Sequence, residues 1–367
     1  DRGMGTQVIM IMCFIFILAG AFSASAIAVG GVDSVVIVAQ HFIPSKFMIS
    51  GIFVISALIS LAIGTSCGTI AALVPIAVSL SDAMGFNPAV VVGAVVGGSM
   101  FGDNLSLISD TTIASTRTQN VDMRDKMLYS FRIVLIPAIL CMFLYMLPFF
   151  TSVGTPALLE PLSVESFIKT APYILLLILG IAGINVMFLL LSGIILNTII
   201  GIYYGIFNIF GAFACIGDGT VNMATTIIVA MLAGGLLRMV RYNGGITFII
   251  RSAGKIIKNK KTCEFGICFL TGFINLFTAN NTVAIITAGP IAKELSQKYN
   301  ICPKKTASML DTTSCCVQGM IPYGAQILIT VSLSCSLALS AFSIMKSLFY
   351  PVILAIGLIT YLIISKD

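Results

Sequence analysis

The chain has 367 residues, of which 58% are hydrophobic and only 9% charged, and its mean hydropathy is +1.07. A soluble domain carries roughly 25% charged residues, so this composition excludes an ordinary water-soluble fold. The net charge of +6 is no nucleic-acid signal, because the basic residues sit between apolar segments, where they report membrane topology.

The sequence begins DRGMGTQ, with no initiator methionine and no basic stretch before a short apolar core, and reads as a chain that has lost its beginning. Apolar runs of roughly 17 to 25 residues then recur, the length a helix needs to cross a bilayer, which predicts an all-α polytopic membrane protein. No short alternating segments suggest a β-barrel. Predicted simple spans are 8–28, 128–150, 171–189, 190–208, 221–237 and 346–364.

Between them lie two cores of another kind. The first is a helical hairpin over 46–82, with Gly64-Thr65-Ser66-Cys67-Gly68-Thr69 at its tip, followed by an interrupted helix over 88–118. The second is a hairpin over 262–297, with Thr278-Ala279-Asn280-Asn281-Thr282 at its tip, followed by an interrupted helix over 303–337 that breaks between Gln318 and Gly324. Each hairpin arm of about 15 residues reaches about 22 Å, past the bilayer midplane.

These cores are copies. Without a gap, Ile70, Pro75, Ile76, Ala77, Leu80, Ser81, Pro88 and Ser99 fall on Ile285, Pro290, Ile291, Ala292, Leu295, Ser296, Pro303 and Ser314. Upstream, Leu18-Ala19-Gly20 and Gly30-Gly31 recur as Leu232-Ala233-Gly234 and Gly244-Gly245. Basic residues cluster at Arg117, Arg124, Lys126 and Arg132, and again at Arg238, Arg241, Arg251, Lys255, Lys258, Lys260 and Lys261, joined by Lys293, Lys298, Lys304 and Lys305. Placed in the cytoplasm, they make the second hairpin enter from inside and the first, with only Lys46 near its ends, from outside. The expected architecture is therefore an inverted-repeat transporter with two re-entrant hairpins and two interrupted helices. Residues 1–150 form the first repeat and 151–367 the second, with a transport core over 46–118 and 262–337 and the other spans as scaffold. The symmetry predicts two further spans before residue 1.

Several chemistries fall away. The lone His41, expected in a loop, cannot build a zinc site or a Ser-His-Asp triad. No glycine-rich loop ends in Gly-Lys-Ser/Thr, so nothing points to ATP-driven transport. The cysteines, among them Cys13, Cys67, Cys141, Cys268, Cys315 and Cys335, lie in apolar stretches as small hydrophobes. The chain is read as no enzyme, with no cofactor and no nucleic-acid partner.

Irregular backbone at membrane depth survives only when buried in protein or lining a watery cavity. Close helix packing explains Gly93, Gly97 and Gly98. It does not explain Asn280-Asn281 or Asp103-Asn104, whose polar groups need partners. Three acids are expected within spans, Asp103, Asp110 and Asp311, and such acids are functional candidates; Asp33, Asp82, Asp122, Asp125, Glu160, Glu165, Glu264 and Glu294 are read as loop or interface charges. Carboxylate, carbonyl and hydroxyl oxygens at helix breaks suit Na⁺. The expected ion-binding set is Thr65, Ser66, Thr69, Asp103, Asn104, Ser106, Ser109 and Asp110 from the first copy. The second copy adds Asn280, Asn281, Thr282, Asp311, Thr312 and Gln318. Within the set, Asp103, Asn104, Asp110, Asn280 and Asn281 are the expected Na⁺ ligands. Asp103 and Asp110 stand where the second copy has Gln318 and Ala325, which puts the ion chemistry with the first copy.

The segments Gly64–Thr69 and Phe101–Thr112 resemble the NhaC-type Na⁺/H⁺ antiporter family, which shows a GTS-x-GT segment and a FGD-x-x-SP-x-SDTT segment. Leu107 departs from it, standing where that family commonly has proline. The resemblance implies membership of the ion-transporter superfamily, with paired hairpins and an elevator-like movement. The function it implies is Na⁺-coupled secondary transport, first of all Na⁺/H⁺ antiport, with Na⁺ as coupling ion. The alternative is Na⁺-coupled transport of a small carboxylate or amino acid. The expected setting is a bacterial inner (plasma) membrane, with the lipid bilayer and a second copy in a homodimer as partners.

Overall fold

The computed structural model describes residues 7–42, 44–107, 109–147, 161–182, 184–224, 259–334 and 337–365, with isolated positions between 227 and 244. Sixteen helices and no strand occur among the described residues. In chain order they are α1 (Gln7–Ala28), α2 (Gly31–Phe42), α3 (Ser45–Ile63), α4 (Ser66–Met84), α5 (Pro88–Leu105), α6 (Asp110–Gln119), α7 (Met123–Leu144) and α8 (Val164–Ile181). There follow α9 (Val186–Tyr203), α10 (Ile209–Asn222), α11 (Lys260–Thr278), α12 (Asn281–Lys298), α13 (Pro303–Gln318), α14 (Ala325–Leu333), α15 (Ala341–Ser347) and α16 (Phe349–Ile364). Five stretches among the described residues are long and apolar enough to cross a membrane: Lys46–Ile63, Ser66–Met84, Pro88–Gln119, Met123–Leu144 and Val186–Tyr203. Two bent pairs, Cys13–Ala28 with Gly31–Val38 at 72° and Ala341–Ser347 with Phe349–Ile364 at 52°, raise this to as many as seven.

Local signals set the helix ends. Asn87 accepts from the Ala89 amide at 3.0 Å with Pro88 at the first helical position, a strong start for α5. Asp122 caps α7 through the Arg124 amide at 2.8 Å, so this helix begins five residues before the predicted 128. Asn185 caps α9 through the Met187 amide at 2.9 Å, which divides the region at 182–185 and not between 189 and 190. Hydropathy averages over a cap and misplaces such boundaries. The predicted span 221–237 lies partly outside the described residues, and α10 already ends at Asn222. Arg241, Arg251, Lys255 and Lys258, Ala233, Gly234 and Gly245 of the upstream repeat, Ile108, Cys335 and 148–150 are likewise outside them. His41 is not in a loop; it is exposed in the last turn of α2, its Nδ1 3.0 Å from the Ile37 carbonyl.

The core packs on small residues. A Cβ on Gly98 would strike the Phe53 carbonyl, and one on Gly102 would lie 2.7 Å from the Leu61 amide, so α3 and α5 meet backbone to backbone. A Cβ on Gly93 would approach the Ser347 carbonyl at 2.7 Å, and one on Gly97 the Tyr350 Cβ at 3.0 Å. The packing reading of Gly93, Gly97 and Gly98 agrees with these contacts.

Candidate ion-binding site

The two copies turn at their hairpin tips and restart their broken helices at equivalent residues, although α13 ends two positions earlier than α5. Helix α3 stops at Gly64 in the left-handed region (φ 75°) and Thr65 is extended (φ −151°); α11 stops at Ala279 (φ 48°) and Asn280 is extended (φ −148°). The next turns match as well, with Gly85 at φ 66° and Asn300 at φ 52°. In the broken helices, Ser109 (ψ 139°) starts α6 and Gly324 (ψ 149°) starts α14. Ser60 donates to the Ser99 carbonyl at 2.6 Å, and its counterpart Asn275 to the Ser314 carbonyl at 2.8 Å. Each break leaves helix-end amides and carbonyls without intrahelical partners, the groups that receive ions.

Both tips and both breaks face one cavity of about 120 Å³. Its wall holds Gly64, Thr65, Ser66 and Cys67 from the first tip, and Asp103, Ser109, Asp110 and Thr111 from the first break. The second copy supplies Asn280, Asn281, Thr282, Gln318, Ala325 and Gln326, and Ile11 and Ile15 of α1 complete it.

A chain of hydrogen bonds crosses from one copy to the other. Ser109 Oγ donates to Asp103 Oδ1 at 2.6 Å and Ser66 Oγ to Oδ2 at 2.9 Å. Gln326 Nε2 donates to Ser66 Oγ at 3.1 Å, and Gln318 Nε2 donates both to Gln326 Oε1 at 3.1 Å and to the Ala279 carbonyl at 2.8 Å. Asp103 is buried yet is held only by the hydroxyls of Ser66 and Ser109 and the Ser66 amide, with no basic side chain, while the other buried acids, Asp311 and Glu264, each have a lysine. The buried oxygens Asn281 Oδ1 and Gln318 Oε1 on the cavity residues have no hydrogen-bond partner. An unpaired buried carbonyl is costly unless something fills its place, and a hard cation with oxygen preference does.

Nine of the expected site residues thus meet at the cavity: Thr65, Ser66, Asp103, Ser109, Asp110, Asn280, Asn281, Thr282 and Gln318. Five stand off its wall. Thr69 bonds back to the Thr65 carbonyl at 3.0 Å, Ser106 is buried after α5, and the Asn104 side chain and the Thr312 hydroxyl are buried without partners. Asp311 is bound to Lys126.

Lys126 and Glu264 correct the charge assignments made from sequence. Neither is a loop charge, since both are fully buried; Glu264 pairs with the equally buried Lys305 at 2.8 Å. The signal for Lys126 was its spacing, because it heads the buried face of α7 that continues through Ser130, Ile133, Val134, Pro137 and Cys141. Gln326 is a further cavity residue that nothing in its own apolar stretch marks, although at the repeat offset it falls on Thr111 of the SDTT segment.

No group of three or more His, Cys, Asp or Glu residues suited to a metal ion occurs among the described residues. The sequence model of the Na⁺/H⁺ antiporter family matches residues 2–150 and 151–365. The chain is 24% identical over 354 residues to the Na⁺/H⁺ antiporter NhaC of Bacillus subtilis, covering 87% of this chain and 76% of that protein. It is 21% identical over 345 residues to the Na⁺/H⁺ antiporter NhaC of Alkalihalophilus pseudofirmus, covering 85% and 73%. A shorter match, 29% identical over 109 residues, covers 30% of this chain and 23% of the malate-2H⁺/Na⁺-lactate antiporter of Bacillus subtilis. With matches over nearly its whole length, the chain belongs to the Na⁺/H⁺ antiporter family.

Proposed function

We propose that the protein is a Na⁺/H⁺ antiporter whose exchange site is the cavity between the two tips and the two helix breaks. The observation that carries this reading is Asp103, a buried carboxylate held by Ser66 and Ser109 and by no basic side chain, on the wall of that cavity. Such a carboxylate binds a Na⁺ or a proton, and loading one displaces the other. Thr65, Asp110, Asn280, Asn281 and Gln318 supply further oxygens, and the two serine hydroxyls orient the carboxylate toward the ion.

In this reading α3–α4 and α11–α12 are re-entrant hairpins of oppositely oriented repeats, 1–150 and 151–367. The core 46–118 and 262–337 moves as an elevator against the remaining spans, in a bacterial inner membrane. The support is the repeated cap geometry together with the charge pattern of the loops.

The test is proton flux driven by a Na⁺ gradient in proteoliposomes that contain no organic solute. Exchange that is saturable in Na⁺ and lost in Asp103→Asn is the expected result. A silent wild type that transports only when a small carboxylate or amino acid is added would replace this reading with a Na⁺-coupled cargo carrier.

A further inference from the structure

Lys126 is one of the fully buried charges among the described residues, with Lys305 and Glu264. Its ammonium donates to the Asn104 carbonyl at 2.8 Å, to Thr112 Oγ1 at 3.0 Å and to Asp311 Oδ2, so each of its three N–H groups has an acceptor. Lys126, Thr112, Asn104 and Asp311 are each at most 1% exposed, and neither Lys126 nor Asp311 touches the cavity.

Consider the acceptors without the lysine. They are one carboxylate, one hydroxyl and one backbone carbonyl, and that carbonyl belongs to the last turn of α5, at the negative end of a broken helix. This is a ligand set for a monovalent cation, of the same composition as the walls around Asp103. Two further facts point the same way. The Asn104 side chain and the Thr312 hydroxyl, on a ligand residue and beside one in the chain, are buried with no hydrogen-bond partner. The set also joins the copies, since Asn104 and Thr112 flank the first break and Asp311 lies on the broken helix of the second copy.

We infer that the position of the Lys126 ammonium is a second Na⁺ site, filled permanently by the chain's own cation, so that the native protein exchanges ions at one site and not at two. This rests on Na⁺ being the ion of the Asp103 cavity, and the test separates the two claims.

The measurement is equilibrium binding of radioactive Na⁺ to the purified full chain in lipid nanodiscs, with choline as the replacement ion. Wild type should show one saturable component, lost in Asp103→Asn; if it shows none, the proposed exchange site fails, whatever the lysine does. Lys126→Ala, which opens the position, should roughly double the Na⁺ bound at saturation. The added component should persist in Asp103→Asn/Lys126→Ala and disappear in Lys126→Ala/Asp311→Asn. Lys126→Met, whose chain fills the space with apolar atoms, should not gain it.

A folded Lys126→Ala that binds no more Na⁺ than wild type overturns the inference and leaves Lys126–Asp311 as an ion pair of the fold only. Should Lys126→Ala be recovered folded in Na⁺ but not in choline, the inference gains support, because Na⁺ then does the work of the ammonium. Equal loss in both salts overturns it.

Discussion

Gln326 and Ser66, 260 residues apart, share a hydrogen bond of 3.1 Å that closes the gap between the second copy and the carboxylate of the first. Ser66 in turn donates its hydroxyl hydrogen bond to Asp103, so the geometry of the carboxylate depends on an amide in the other half of the chain. Gln326→Leu keeps the volume and removes both links. A neutral hydrogen bond contributes about 1 kcal/mol, which corresponds to about fivefold in an equilibrium constant. The Na⁺ KM should rise about fivefold or more, with the maximal rate changed less, read as Na⁺-dependent proton flux in proteoliposomes. A fall in maximal rate at unchanged KM would show that Gln326 does not position the site.

Asp103 and Asp110 both face the cavity but differ in enclosure, the first being 8% exposed and the second open. Asp103→Asn should abolish exchange, whereas Asp110→Asn should leave measurable flux with a raised Na⁺ KM. Equal loss in both would assign the exchanging carboxylate to the pair.

Glu264 and Lys305 form an ion pair with no exposure on either side, and Lys305 also donates to Ser365 Oγ at 2.7 Å near the end of the last helix. Removing one member leaves a buried charge uncompensated, at about 3–5 kcal/mol. Glu264→Gln should lower the melting temperature sharply, and Glu264→Leu/Lys305→Met should recover much of the loss. The chain has no tryptophan, so unfolding is best followed through the labelling of its buried free cysteines.

Gly98 and Gly51 make a matched pair. A methyl on Gly98 would meet the Phe53 backbone, while one on Gly51 would meet nothing within 4 Å. Gly98→Ala should destabilise by about 1–3 kcal/mol, as overpacking does. Gly51→Ala should be neutral or stabilising by up to about 1 kcal/mol through helix propensity. Similar melting shifts in the two would refute backbone contact between α3 and α5.

Ala279 holds a left-handed φ of 48° where the first copy has Gly64. For an L-residue with a side chain this costs roughly 1–2 kcal/mol. Part of what glycine relieves is returned as extra unfolded-state entropy. Ala279→Gly should therefore raise stability by less than about 1 kcal/mol, and a lowered melting temperature would show that the Ala279 methyl is needed at the tip.

The sequence was most legible where chemistry and periodicity agreed. Gly64, the Asn280 cap, Pro88 and Pro303 mark boundaries that lie within a few residues of the expected ones, because each acts on the backbone within a turn of itself. Nine of the expected site residues converge on one cavity, since the repeat assigned them to equivalent tips and breaks. Charge was the misleading signal. Lys126 reads as a loop residue, Glu264 as a loop or interface charge and Lys305 as a cytoplasmic helix-end charge because ionised groups usually avoid the interior, and only their partners along the chain make burial possible. Gln326 was hidden for a related reason, as one amide in an apolar stretch says nothing of the serine it meets 260 residues away.

The matching caps separate the backbone frame from the polar groups it displays. Gly64-Thr65 and Ala279-Asn280 hold nearly the same backbone angles although one tip then carries Ser66 and the other Asn281. The turn is specified by a left-handed residue followed by an extended one, and it places little demand on the oxygens displayed beyond it. Different polar side chains can therefore be displayed on this frame with the helices and their packing untouched.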